Sequence, residues 1–462
     1  MSLPRRTRRA RTAIDEGDLQ GNLLRGYTHP VGSYVFVRVD DAARGRELLR
    51  AVVDRVTSAQ PWLGGAPEST LNVSFSYAGL AALGVERSLL ATFPEEFRDG
   101  MAARADLLGD RGASAPARWE AGLGRGEAHV LISLYGLDAG ALERSRERLQ
   151  AALDGVGGAV AVVNEQRSQV LDGGRDHFGF KDGIAQPALA GGGSEPRPGD
   201  GLPGRDGGWR ALAPGEFVLG VADEDGGLPV APAPPFDRHS TYVVYRKLQM
   251  HPERLRAYLR EVAGSAHDPA TLAAKLVGRW QDGTPLIASP HGPDAAIADD
   301  PLRVNDFRYS QDPDGVSCPM GAHIRRANPR DHDGFFDGKL SDRHRIIRRG
   351  RSYGPPLAPD ATEDDGIERG LVFKCYQADI ERQFEVIQSR WVDDGDPFGV
   401  GDDRDPLIGN HADGGGRMVI QARAPQRPVV LGGLPTFTTL RGGEYLIRPG
   451  LRALRWLAAP QR

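Results

Sequence analysis

The chain has 462 residues, a formal net charge of -4 and only two cysteines, Cys318 and Cys375. That length buries a core without staples. The charge balance speaks against nucleic acid as a partner, the cysteine count excludes a disulfide scaffold or a multi-cysteine zinc site, and no apolar run is long enough to span a membrane.

Basic residues are almost all arginine, with five lysines in the whole chain, and Gly (60) with Pro (34) make up about a fifth of it, above average usage. Residues 1–17 read as a flexible basic arm. The paired arginines are followed by Asp15, Glu16 and Asp18 rather than by the apolar stretch of an export signal, so the expected location is cytoplasmic.

Residues 33–39 (SYVFVRV) are β-branched and aromatic and predict a strand; Leu48, Leu49, Val52 and Val56 place a helix over 42–56. Residues 70–77 alternate, with Leu71, Val73, Phe75 and Tyr77 on one face, and predict a half-buried strand. Residues 129–135 predict another strand, 138–153 a helix capped by Asp138, and 159–163 a weak strand. The Gly-, Pro- and Asp-rich stretch 188–235 predicts a long insertion too polar for a core. A second cycle follows: a strand over 241–248, a helix opened by Pro252, a strand over 370–376, and a helix over 379–391 with Ile380, Phe384, Ile387 and Trp391 in one stripe. Two similar α+β halves are the economical reading.

Three segments place ionisable residues among glycines or apolar side chains. In FGFKDGIAQP (178–187), aromatics beside Asp182 would desolvate its carboxylate and suit it to moving protons; the pair is also an ordinary Asp-Gly turn. In CPMGAHIRRANPR (318–330), His323 is a candidate ligand or a hydrogen-bonded structural histidine, and its arginines suit an anion or a solvated face. In RHRIIRRGRSYG (343–354), Arg348 follows an Ile-Ile pair and is either directed at a charge or part of a basic loop. Cys318 reads as a buried structural thiol. There is no CxxCH attachment, HExxH or Walker loop.

Together these segments resemble the dye-decolorizing peroxidases, in the family's order: DLQGNLLRGY (18–27), VSFSYAGLAAL (73–83), the GxxDG motif at Gly179–Gly183, GAHIRRANPR, RRGRSYG, and RGLVFKCYQAD followed by QFEVIQSRW. The resemblance runs from about residue 18 to 450 and is to the longer bacterial and fungal members. It implies an α+β fold of two ferredoxin-like halves, antiparallel sheets with flanking helices, divided as 18–187, an insertion 188–235, and a haem-bearing half 236–462.

It further implies one noncovalent haem b per chain, with His323 as axial iron ligand and Arg330 on a propionate. Asp182 and Arg348 would work on the peroxide-binding face, which Leu371 and Phe373 line with apolar groups. Asp379 is the expected acceptor for the second nitrogen of His323, with Glu381 and Glu385 as alternatives; Asp379 also reads as a helix cap. The implied activity is reduction of hydrogen peroxide with one-electron oxidation of phenols, dyes or similar aromatics; a haem-handling protein with incidental activity is the alternative. Tyr376, Trp391 and Trp456 are candidate electron relays or simply core aromatics.

Overall fold

The computed structural model describes residues 14–192, 196–204, 208–265, 267–332 and 341–460. The N-terminal half contributes strands β1 (Val31–Val39), β2 (Ser69–Phe75), β3 (Val130–Gly136) and β4 (Val160–Gln169). They pair antiparallel in the order β2-β3-β1-β4. Helices Ala42–Val53 and Ala139–Gly155 lie between the first and last strand pairs, each entered through an aspartate, Asp41 or Asp138, whose side chain accepts a first-turn backbone N–H. This is a ferredoxin-like half: helices follow the first and third strands, and the first and third strands are central.

The insertion holds a two-residue pair, β5 (Leu202–Pro203) with β6 (Trp209–Arg210). The second half then supplies β7 (Thr241–Met250), β8 (Ile347–Arg348), β9 (Arg351–Tyr353) and β10 (Gly370–Gln377). A hairpin, β11 (Gly416–Ile420) with β12 (Val429–Leu434), precedes β13 (Thr438–Arg448). The order β13-β7-β10, with β8 and β9 on the far edge of β10, repeats that of the first half. The halves then join at both edges. Ile447 of β13 pairs with Phe75 of β2, and Ser352 of β9 pairs with Gln169 of β4. The sheet therefore closes into a barrel and leaves no long open edge among these strands.

Because strand side chains alternate, closure sorts residues by parity. Val35, Val37, Leu71, Val73, Phe75, Ile132 and Leu134 face outward and pack under the helices with Leu48, Leu49, Val52, Leu142 and Leu149. Tyr34, Phe36, Leu131, Tyr135, Val243, Tyr245, Val372 and Tyr376 share an inner cluster. β2 is thus buried on both faces: Thr70, Asn72 and Ser74 are enclosed, where alternation alone predicts exposure. Tyr77 does not extend that strand but starts a short helix capped by Ser76.

Three other expectations change. The insertion is not merely a solvent loop: Leu189, Leu212, Phe217, Val218 and Val221 are buried in the inner cluster. Of the N-terminal arm, residues 1–13 lie outside the described residues, but Asp15 is tied down, its backbone N–H bonded to His239 and its carboxylate to Arg452. The segment 379–391 is helical as expected, but it winds as a wide π-type helix over Ile380–Val392. That winding brings Phe384, Gln388 and Val392 to the same cavity.

Candidate functional site

In the first half the outer sheet face is sealed by helices. In the second half the equivalent face of β7 and β10 keeps a cavity of about 270 Å³. Arg246, Leu248 and Met250 of β7 and Leu371 and Phe373 of β10 line one part of it; Phe178, Phe180, Val277, Phe384, Ile387, Leu407 and Ile408 line the rest. The GxxDG segment, the 318–330 segment and the 343–354 segment all reach this cavity, although about 170 residues separate the first from the last.

His323 opens the short helix His323–Ala327. Its Nδ1 is 2.8 Å from Asp405 Oδ2, and its side chain, 25% exposed, lines the cavity while Asp405 is fully buried. The carboxylate is saturated on its other side, where Oδ1 accepts the backbone N–H groups of Leu407 and Ile408. Burial works against charge on both partners, yet the mutual attraction and hydrogen bond outweigh it: His323 is held above the ordinary histidine range and Asp405 below the usual carboxylate range. In the neutral ring, Nδ1–H donated to Asp405 leaves the lone pair on Nε2.

This corrects the expected acceptor. Asp379 instead caps the π-type helix by accepting Arg382 N–H, Glu381 is exposed, and Glu385 is bonded to Arg104 and to the Tyr445 hydroxyl. Asp405 lies 82 positions beyond His323, in DDRDPLIG. The only local signal was an Asp-Pro turn, and nothing in its sequence neighbourhood points to His323.

Asp182 and Arg348 both line the cavity, and the charges of both are felt at His323. Arg348 is placed by β8: its backbone N–H donates to Gln186 Oε1 and its Nη2 to the carbonyl of Ala185. Asp182 is exposed and accepts the N–H of Gly183, so the expected desolvation of this carboxylate is not found. The desolvated acid of the segment is Asp176, pushed up to about 7 by burial, which accepts the N–H of Phe180 and also lines the cavity. Gly350 lines the cavity as well; a Cβ there would stand 2.8 Å from the carbonyl oxygen of Val372, so the close approach to β10 requires glycine.

The cavity wall carries more cations than the sequence reading named. Arg330 lies over Phe307 and is held by the Asn305 and Phe307 carbonyls and by Asn305 Oδ1, with a left-handed backbone (φ 56°) that fixes its direction. Arg279 shares Asn305 Oδ1. Burial pushes Arg279 down to about 9 and Arg345 down to about 10, and it lowers Arg330 as well. Among the described residues none of Arg279, Arg330, Arg345 and Arg348 makes an ion pair. Asn328 Oδ1 is buried with no partner among the described residues. An apolar slot, one free imidazole nitrogen and several buried guanidinium groups lacking carboxylates fit a flat apolar macrocycle that carries a metal and two carboxylates.

The remaining candidates are structural in their contacts. Cys318 is fully buried and its thiol pushed up to about 12 by burial. Tyr376 is enclosed in the barrel, Trp391 packs with Ile387, Val392 and Phe398, and Trp456 is 36% exposed beside Phe236. No helix among the described residues is long and apolar enough to cross a membrane.

Two family models match the chain: the DyP dimeric alpha+beta barrel domain over residues 18–170 and the Dyp-type peroxidase C-terminal domain over residues 275–400. The chain is 30% identical to dye-decolorizing peroxidase msp1 of Mycetinis scorodonius, over 95% of this chain and 86% of that protein. It is 30% identical to the multifunctional dye peroxidase DyP2 of an Amycolatopsis strain, over 98% of this chain and 97% of that one. A crystal structure of a fungal DyP-type peroxidase from Auricularia auricula-judae superposes with a TM-score of 0.83 at 26% identity, covering 97% of this chain and all of the other. A deferrochelatase of Yersinia pestis matches at 37% identity over only 18% of this chain. The chain belongs to the dye-decolorizing peroxidase family and is a haem-dependent peroxidase with the family's α+β fold of two ferredoxin-like halves.

Proposed function

We propose that this protein holds haem b noncovalently, with His323 as its iron ligand, and uses Asp182 and Arg348 to reduce hydrogen peroxide while phenols or dyes supply electrons singly. The observation that carries the reading is the His323–Asp405 hydrogen bond of 2.8 Å beside an apolar cavity that Asp182 and Arg348 also line. When bound, haem supplies an iron that takes up peroxide and returns to its resting state by accepting one electron at a time. A structure of a related peroxidase is described as a complex with 2,6-dimethoxyphenol, which supports a phenolic reductant.

The protein's part is positioning, charge and proton handling. Asp405 keeps the proton on His323 Nδ1, orients the ring and makes Nε2 a stronger donor. Arg330, with Arg279 and Arg345, provides fixed positive charge for the propionates. Leu371 and Phe373 exclude water from the face they line. The Asp182 carboxylate takes a proton from one peroxide oxygen and delivers it to the other, so that the second departs as water. The guanidinium of Arg348 stabilises negative charge that builds on the departing oxygen. The division into halves at 18–187 and 236–462 belongs to the same proposal, supported by the repeated strand order.

The test is to load the protein with one equivalent of haem, add one equivalent of hydrogen peroxide, and follow the haem spectrum and the oxidation of 2,6-dimethoxyphenol. Fast spectral change and turnover, both lost in Arg348→Leu, support the reading. Reversible haem release to an acceptor protein without turnover would overturn it in favour of haem handling.

A further inference from the structure

Outside the cavity lies a wider cleft of about 520 Å³. The two share Asp182, Gly183, Pro187, Arg348 and Gly350, so the cleft is continuous with the peroxide-binding side. Its lining divides into two kinds of surface. Leu24, Tyr27, Val170, Pro187 and Leu189 are apolar or aromatic. Arg25, Arg197, Arg348, Arg349 and Arg351 are cationic, against Asp182 and Asp200 among the described residues.

The origin of that charge is partly architectural. Arg349 donates to the carbonyls of Asn22, Leu23 and Arg348, and Arg351 to those of Tyr27 and His29. Neither makes an ion pair among the described residues, so backbone dipoles hold both guanidinium groups while their charge stays uncompensated. Asp200 is engaged by the Asn305 amide, and burial raises its carboxyl above the ordinary range. Arg197 is exposed at the rim, and Arg25 is 41% exposed, paired with Glu16 at 3.5 Å. Low-dielectric walls with one sign of charge focus potential into such a cleft.

Resting on the peroxidase reading, we propose that this cleft is the docking subsite for the reductant and selects aromatic anions, carboxylated or sulfonated phenols, over neutral phenols. The ring lies against Tyr27 and Val170, and the anionic group meets the Arg25–Arg197 rim. The phenolic end points toward Gly350, which lines both cleft and cavity. The stoichiometry is ordinary: two phenols each lose one electron and one proton, and one hydrogen peroxide becomes two waters. A reductant seated in this cleft need not enter the cavity.

The test compares 2,6-dimethoxyphenol with its 4-carboxylate, syringate, in wild type, Arg197→Glu and Arg25→Glu/Arg197→Glu. Comparing variants for one substrate at a time removes the intrinsic difference in oxidation potential. For syringate, kcat/KM is expected to fall about tenfold in the double variant, and severalfold in wild type when ionic strength rises from about 10 to about 150 mM. For 2,6-dimethoxyphenol both changes stay within about twofold, and the haem spectrum is unchanged. Equal losses for both substrates, or no loss for syringate, would overturn the subsite while leaving the peroxidase intact. Absence of peroxide-dependent 2,6-dimethoxyphenol oxidation in wild type would overturn the peroxidase reading and the subsite with it.

Discussion

Replacing Asp405 by asparagine isolates the part of the site that sequence reasoning did not find. The carboxylate accepts three N–H donors: His323 Nδ1 at 2.8 Å on Oδ2, and Leu407 and Ile408 backbone N–H at 2.9 and 3.0 Å on Oδ1. Asparagine keeps one oxygen and presents an NH2 group in place of the other. If the oxygen faces His323, two buried backbone donors meet a donor. If it faces the turn, only the His323 bond is lost, so the second orientation is favoured. One buried donor left unpaired costs about 1–3 kcal/mol. The expected result is a loss of stability of that order and a haem affinity about 10–100-fold weaker, equivalent to about 1.4–2.7 kcal/mol. Haem titration of the haem-free protein by absorption, with urea unfolding alongside, measures both. In the haem-free protein the pair also has a pH signature. A histidine held above its ordinary range stabilises the fold fully below about pH 6.5, and that contribution is lost as pH rises through its higher folded value. Asp405, held low, contributes above its ordinary range and loses the contribution as pH falls through its depressed value. Asp405→Asn should lower the His323 titration followed by NMR. Unchanged haem affinity together with an unmoved His323 titration would refute the reasoning.

Three further outcomes are expected. His323→Ala removes the only ring nitrogen proposed as ligand, and stoichiometric haem binding with an unaltered spectrum would end that assignment. Asp182→Asn, an exposed change that leaves no buried group unpaired, should slow peroxide turnover about 10²–10⁴-fold with haem affinity retained; equal stopped-flow rates would remove the proton-transfer role. Glu444, buried against Gly124 N–H, is pushed up to about 8 by burial, so the folded state binds one more proton than the unfolded state between about pH 4.5 and 8. Stability should fall there by about 1.4 kcal/mol per pH unit from this group, and Glu444→Gln should flatten the slope in denaturant titrations repeated across that range. An unchanged slope would contradict it.

Much of the strand and helix content was legible because its causes are local. Runs of β-branched, aromatic and other apolar residues gave β1, β3, β7 and β10, alternation gave β2, and Asp138 capped its helix as its position before an apolar stripe predicts. The long last strand β13, with Gly442 and Gly443 inside an ordinary apolar pattern, was not read from sequence. A Cβ at Gly442 would press on the buried Leu123 side chain, a contact made only when distant segments meet.

By itself the sequence determined the local elements and the three chemistry-bearing segments; their order marked the family, and with it the proposed roles of His323, Asp182, Arg330 and Arg348. The tertiary structure decided what those residues face. Barrel closure turned the polar side of β2 inward and made the Gly- and Pro-rich insertion part of a core. It brought Asp405 to His323 across 82 positions and left Asp379 as a cap. It also gathered Arg279 and Arg345 at the cavity and five arginines at the cleft. Local propensity depends on neighbours within a few residues, whereas hydrogen-bond partners and electrostatic surroundings depend on through-space distance, which the chain sets only on folding.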